Sequence, residues 1–168
     1  TGTPVVDQEL TADEGTWSPG EATFSYQWYA RSSSGKVYKV GADSRTYRVE
    51  GRYAGYKVKV AVTGHATGYA SVTRTSSYTP TIAKATFTSQ SAPTIDGVAQ
   101  VGETLTATEG DWQPTPLISY QWYRSGTAIT GATRDSYTLT SKDVGKTITI
   151  RVTAKRPGYV TASRTSAA

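Results

Sequence analysis

The 168-residue chain contains no cysteine and no methionine, and asparagine is also absent. Without cysteine there are no disulfides, thiol nucleophiles or cysteine-based zinc sites. Without asparagine there are no N-linked glycan acceptors and no Lys–Asn isopeptide crosslinks. A single histidine leaves little material for imidazole chemistry. No apolar run approaches the roughly 20 residues of a membrane-spanning helix, and no signal peptide is visible. The first residue is not Met, and the sequence reads as a piece of a longer protein. The net charge of +5 is spread thinly. Residues 1–80 carry nine Lys/Arg against seven Asp/Glu, and residues 81–168 nine against six, which gives +2 and +3. A nucleic-acid footprint needs a denser basic patch, so no nucleic-acid partner is expected.

What is present is one unit written twice. Ser25-Tyr26-Gln27-Trp28-Tyr29 returns as Ser119-Tyr120-Gln121-Trp122-Tyr123. Upstream, Leu10-Thr11-Ala12, Glu14-Gly15 and Trp17 return as Leu105-Thr106-Ala107, Glu109-Gly110 and Trp112. Downstream, Gly41-Ala42, Tyr47, Gly55, Val62-Thr63, Gly68-Tyr69 and Arg74-Thr75-Ser76 return as Gly131-Ala132, Tyr137, Gly145, Val152-Thr153, Gly158-Tyr159 and Arg164-Thr165-Ser166. A period of roughly 90 residues exceeds that of solenoid repeats, so each copy is expected to be a domain with its own core. The expected division is 1–80 and 81–168, joined at the linker Thr79-Pro80-Thr81 with modest contact between the two.

Thr, Ser, Gly, Val and Tyr dominate, a bias toward strand. Alternation predicts a strand over residues 6–12 with Leu10 and Ala12 inward, followed by a turn cluster from Glu14 to Gly20 that encloses Trp17. Phe24, Tyr26 and Trp28 fall on one face of the next strand and Ser25, Gln27 and Tyr29 on the other; Ile118, Tyr120 and Trp122 repeat the pattern. Trp28, Trp122, Tyr26 and Tyr120 are therefore expected in the core. Further strands are expected around Lys36–Val40 and Tyr47–Val49, with Val58, Val60 and Val62 inward on the clearest one and Ile148, Ile150 and Val152 on its copy. Ala70–Ser77 closes the first copy. Residues 85–91 and then 93–98 are expected to form the first strand of the second, and the first copy is expected to begin inside its own leading strand.

Six to eight short strands per copy, separated by turn signals, predict an all-β chain of two tandem immunoglobulin-like antiparallel β-sandwich domains, with an OB or other Greek-key barrel as the alternative. The order of elements favours the first: a Trp strand, then Gly126–Ile129, a Tyr137–Leu139 strand, Asp143-Val144-Gly145 and an aliphatic strand. The segments Val101–Ala107, Gly110-Asp111-Trp112, Tyr120–Arg124, Gly131-Ala132, Tyr137, Asp143–Gly145 and Pro157-Gly158-Tyr159 resemble the immunoglobulin-like tandem repeats of secreted and wall-attached actinobacterial proteins. The resemblance covers nearly the whole chain. The first copy departs from it, with Arg52-Tyr53-Ala54-Gly55 where the second has Lys142-Asp143-Val144-Gly145. It implies an accessory module outside the cell and carries over no catalytic set.

Candidate sites are few. His65 sits between Gly64 and Gly68 with no acid or hydroxyl placed beside it by any motif, and is expected on the surface. Trp17 and Trp112 in turns, and Tyr29 and Tyr123 on outer faces, are the candidate ligand-binding residues, because aromatic faces stack on sugars. Their structural alternative is end-capping of a core for the Trp pair and an ordinary sheet face for the Tyr pair. Tyr29 with Lys39, Arg48, Lys57 and Lys59 would form a basic aromatic face. Asp13, Glu14, Glu109, Asp111 and Asp96 could gather around calcium, but no Asp-x-Asp-x-Asp-Gly loop is present. Asp143 is expected to accept hydrogen bonds at a corner. Thirteen carboxylates are available, and only Glu14 and Glu109 recur. The sequence thus predicts a non-catalytic accessory repeat pair of a secreted or cell-surface bacterial protein, without cofactor or metal, monomeric within a longer chain, acting as spacer, stalk or adhesion module. The alternative is a module that binds cell-wall polysaccharide, or a host or surface glycan or protein, on behalf of an attached hydrolase.

Overall fold

A computed structural model describes residues 1–18 and 20–168. Pro19, in the expected turn cluster, lies outside the described residues. The chain is all-β, with helical pieces among the described residues limited to single 3₁₀ turns at Gly51–Tyr53 and Ser141–Asp143, and it divides into two compact units, Thr1–Ala85 and Thr86–Ala168.

Unit 1 contains β1 (Glu9–Thr11), β2 (Thr23–Arg31), β3 (Val37–Val40), β4 (Thr46–Arg48), β5 (Lys57–His65) and β6 (Val72–Thr75). One antiparallel sheet has the order β3-β2-β5-β6 and the other pairs β1 with β4. The first is organised on β2, where Trp28 stands opposite Val60 of β5 and Val40 of β3. Period-2 alternation sends Val58, Val60 and Val62 inward, where they are buried with Trp28, Leu10, Tyr47 and Val49. Residues of both sheets thus share one core, a sandwich-like arrangement. Gly41 lets that core close: at φ +67 it holds a turn that side chains resist, and a Cβ there would lie 2.9 Å from the Tyr47 ring.

Unit 2 contains β7 (Ser89–Gln90), β8 (Thr94–Asp96), β9 (Thr104–Thr108), β10 (Trp112–Gln113), β11 (Leu117–Arg124), β12 (Thr127–Ala128), β13 (Ser136–Thr138), β14 (Ile148–Lys155) and β15 (Ala162–Thr165). Its sheets run β12-β11-β14-β15 and β13-β9-β8, with β10 paired to β7, and all are open rather than closed barrels. Trp122 stands opposite Ile150, and the two are buried with Leu105, Ala107 and Leu139.

Two expectations differ in detail. The opening residues of unit 2 are divided between two partners: β7 pairs with β10, and β8 pairs with β9. The Thr79-Pro80-Thr81 stretch is not a free tether but part of unit 1. Thr79 donates its amide to the Val58 carbonyl (2.8 Å) and accepts the Val58 amide on its hydroxyl (3.0 Å). Ile82 follows it into the core with 2% of its surface exposed, so unit 1 extends to Ala85. Aliphatic burial decides the boundary here, and the turn-like composition of Thr-Pro-Thr conceals it.

Candidate functional site

The repeated residues converge on the same contacts in both units. Trp28 donates its indole N–H to the Ser44 carbonyl and Trp122 to that of Arg134, both at 2.9 Å. Tyr47 packs on Trp28 with ring centres 5.7 Å apart, and Tyr137 on Trp122 at 5.8 Å. The Gln of each pentapeptide turns its amide onto backbone: Gln27 donates to the carbonyls of Trp28 and Val40, Gln121 to those of Trp122 and Ile129. Ser76 exchanges bonds with Val60 just as Ser166 does with Ile150.

The recurring acids belong to the same scaffold. Tyr26 donates its hydroxyl to Glu14 at 2.5 Å, and Tyr120 donates to Glu109 at 2.8 Å. Trp17 and Trp112 donate their indole N–H to the backbone carbonyls of Glu14 and Glu109, at 2.6 and 3.0 Å. The unit Glu-Gly-x-Trp is therefore a clip from the turn to the hydroxyl edge of the central strand. Burial, and then the bonded carboxylate, push both Tyr26 and Tyr120 up to about 12. Both are half-buried rather than fully enclosed like the neighbouring Trp residues. The Tyr26 hydrogen bond in turn lowers the Glu14 carboxyl, with help from its own backbone, and Arg45 adds an ion pair at 3.1 Å. A carboxylate held low by a hydroxyl is a poor general acid.

Of the four candidate stacking residues, Trp112 is enclosed, 5% exposed, against Phe87 at 5.6 Å. Trp17 is half-buried, and its ring is covered by the Arg74 guanidinium 4.4 Å from its centre and by Gly64, where a Cβ would come within 2.7 Å. Neither indole offers a broad open face. Tyr29 and Tyr123 are half-buried on the outer sides of their sheets, beneath cations: Lys59 lies 5.7 Å above Tyr29, and Arg151 lies 4.9 Å above Tyr123. Lys59 also lies 5.1 Å over Tyr78, a partner with no signal in the sequence pattern. Lys39 stands opposite Tyr29 on β3, but Arg48 does not join this face. It lies on β4 of the other sheet, beside Asp7 at 3.6 Å, because Tyr47 and Val49 on either side of it point inward.

His65 is exposed as expected, but it has company that no motif signalled. Pairing of β2 with β5 brings the Ser25 hydroxyl to 3.2 Å from Nε2, and the Ser71 hydroxyl lies 2.8 Å from Nδ1. A hydroxyl and an imidazole in reach are two parts of a nucleophile pair, yet the ring's other nitrogen meets an alcohol rather than a carboxylate. The group lies on exposed sheet surface, so water competes for every contact. Unit 2 has Ser119 and Lys155 in the corresponding places.

Asp143 carries the strongest polar network. It accepts from Arg124 at 2.6 Å, from the Tyr137 hydroxyl at 2.9 Å, and from both the amide and hydroxyl of Thr140 at 2.7 Å. Burial alone would raise its carboxyl, but these bonds outweigh it and hold the group well below the usual carboxylate range. Four donors of the fold converge on it, three of them on Oδ2 and the Arg124 guanidinium on Oδ1. The acids considered for calcium do not assemble: Glu14 and Glu109 face tyrosines and Asp13 accepts the Gly15 amide at 3.0 Å. Among the described residues no three His, Asp or Glu side chains gather as metal ligands, and no helix is long and apolar enough to cross a membrane. No protein-family model matches the chain, and comparison with curated proteins finds no match.

Proposed function

We propose that the chain is a pair of immunoglobulin-like sandwich repeats that serves a longer extracellular bacterial protein as a non-catalytic spacer or adhesion stalk. One observation carries this reading. The residues the two copies share are engaged in packing and in hydrogen bonds within each unit: indole to carbonyl, Gln to backbone, Tyr to Glu, Ser to strand. A repeat selected for a ligand would reproduce an open cluster of side chains, whereas a repeat selected for reach need only reproduce its fold. The strand order supports the immunoglobulin-like assignment, with a central Trp strand flanked in each four-stranded sheet and a second sheet packed over it. The extracellular placement rests on the resemblance of the Tyr-Gln-Trp-Tyr and Val-Gly-Glu-Thr-Leu segments to wall-attached repeats.

A second reading, attachment to an anionic wall polymer, is favoured by the tyrosine–cation pairs Tyr29–Lys59 and Tyr123–Arg151 on the outer sheet faces. Sedimentation of the full chain with purified cell wall, together with a panel of immobilised glycans, separates the two. The spacer reading expects no saturable retention, and no release of product from peptidoglycan, starch or casein. Saturable binding lost in Tyr29→Ala and Tyr123→Ala would move the function to wall attachment. Hydrolysis lost in Glu109→Gln or His65→Ala would make the chain an enzyme.

A further inference from the structure

Unit 2 has an open groove of about 870 Å³ at one end of its core, floored by Ile95, Leu105, Leu139 and Ile148 and rimmed by Val101 and Val144. Val101 is 50% and Val144 68% exposed. Unit 1 shows what belongs there, because the corner is the same in both. Asp7 donates to Val49 and Gly102 to Leu139, both at 2.9 Å, and Gln8 donates to Val5 as Glu103 does to Gln100. Val6 thus corresponds to Val101, Pro4 to Ala99, Gly55 to Gly145 and Tyr56 to Lys146.

In unit 1 the place is filled by the segment after β6. Ile82 donates its amide to Tyr56 at 2.7 Å and accepts from Gly55 at 2.9 Å. Ala83 donates to Pro4 at 2.8 Å and accepts from Val6 at 3.0 Å, forming a parallel bridge with Val5. Val6 is consequently 1% exposed, where Val101 is half open. Among the described residues the amides of Val101 and Gly145 and the carbonyls of Ala99 and Lys146 make no matching bonds.

We propose that this groove is a strand-docking site that takes an extended polypeptide of the Thr-Pro-Thr-Ile-Ala type, with the isoleucine side chain in the cavity and four main-chain bonds to Ala99, Val101, Gly145 and Lys146. In unit 1 the occupant runs on from β6, and a segment joined after β15 would enter the groove of unit 2 in the same direction. Ser166 is clipped to Ile150 as Ser76 is to Val60, which fixes the direction in which the chain leaves the sheet. Ile82 stands six residues past Ser76 (82 − 76), so the matching side chain is the sixth past Ser166. Main-chain pairing supplies affinity and the aliphatic pocket supplies selectivity, as in other strand additions to an open edge. An acidic residue in the isoleucine position would be desolvated without a partner and should be rejected.

The test extends the full chain after Ala168 with Thr-Pro-Thr-Ile-Ala-Lys, the sequence of residues 79–84, and with a control in which Asp replaces that Ile. Amide exchange at Val101 and Gly145 is followed by NMR in both, and in the unextended chain. The expected result is a slowing of about tenfold or more at both amides in the Ile-bearing chain alone, since tethering makes the docking intramolecular. No slowing at either amide, or equal slowing with the Asp-bearing extension, overturns the proposal. So does slowing in the unextended chain that grows with protein concentration, because the occupant would then be a second copy.

Discussion

Tyr47 and Tyr137 occupy the same place in the two units, each packed on its central tryptophan, but only the Tyr137 hydroxyl is bonded. It donates to Asp143 and accepts from Arg124 at 3.1 Å. In unit 1 those partners are replaced by Tyr53 and Ala30, and among the described residues the buried Tyr47 hydroxyl makes no well-formed hydrogen bond, the Glu50 backbone approaching it without proper geometry. With neither the acid nor the guanidinium present, this corner of unit 1 holds no lone buried charge but one orphaned hydroxyl. Tyr47→Phe should therefore leave unit 1 unchanged or stabilise it by about 1 kcal/mol, whereas Tyr137→Phe should destabilise unit 2 by roughly 1–3 kcal/mol. Urea unfolding of the two variants beside the parent chain measures both, and an equal loss in each would contradict the assignment.

The central tryptophans should be equivalent. Trp28→Ala and Trp122→Ala each remove a large buried ring and should cost about 3–5 kcal/mol, each in its own unit. A loss below 1 kcal/mol in denaturant titration would show that the ring is not a core element.

Ile82 should behave as a core residue despite its place beside the Thr-Pro-Thr stretch. Ile82→Ala should destabilise unit 1 by roughly 2–4 kcal/mol. A linker residue would give a change within about 0.5 kcal/mol in the same urea titration.

Acid should weaken unit 2 through Asp143. Its carboxyl is held low in the folded state, so between that low value and the unfolded value near 3.9 the unfolded chain binds the extra proton. The stabilisation is complete at neutral pH and is lost as the pH falls below about 4. Asp143→Asn should lower stability at pH 7 and flatten its dependence between about pH 4 and 2. Urea midpoints across that range, followed for unit 2, give the slope. An unchanged slope in the variant would assign the acid sensitivity to other carboxylates.

Much of this was legible in the residues. Alternation at Val58–Val62 and Ile148–Val152 placed the inward faces, and the repeated pentapeptide marked the strand around which each core is built. Sequence alone does not show the hydroxyl of Tyr26 reaching Glu14, because the two lie twelve positions apart and no periodicity links them. The Ser25–His65–Ser71 contact was hidden for the same reason: β2–β5 pairing joins positions forty residues apart. Charge alone groups Arg48 with the basic face, while strand pairing puts it on the other sheet. The extent of unit 1 was obscured because Thr and Pro read as linker, although one buried isoleucine outweighs them.

If the two compact units serve as the proposed stalk, each should resist force and unfold on its own. Pulling the full chain by its ends in a single-molecule force experiment tests it most directly. At about 3.5 Å per extended residue, units of 85 and 83 residues (1–85 and 86–168) should give two separate unfolding events, each lengthening the chain by roughly 25–30 nm. A single event releasing the whole chain, or gradual extension with no discrete event, would show that the two units do not fold and resist force separately.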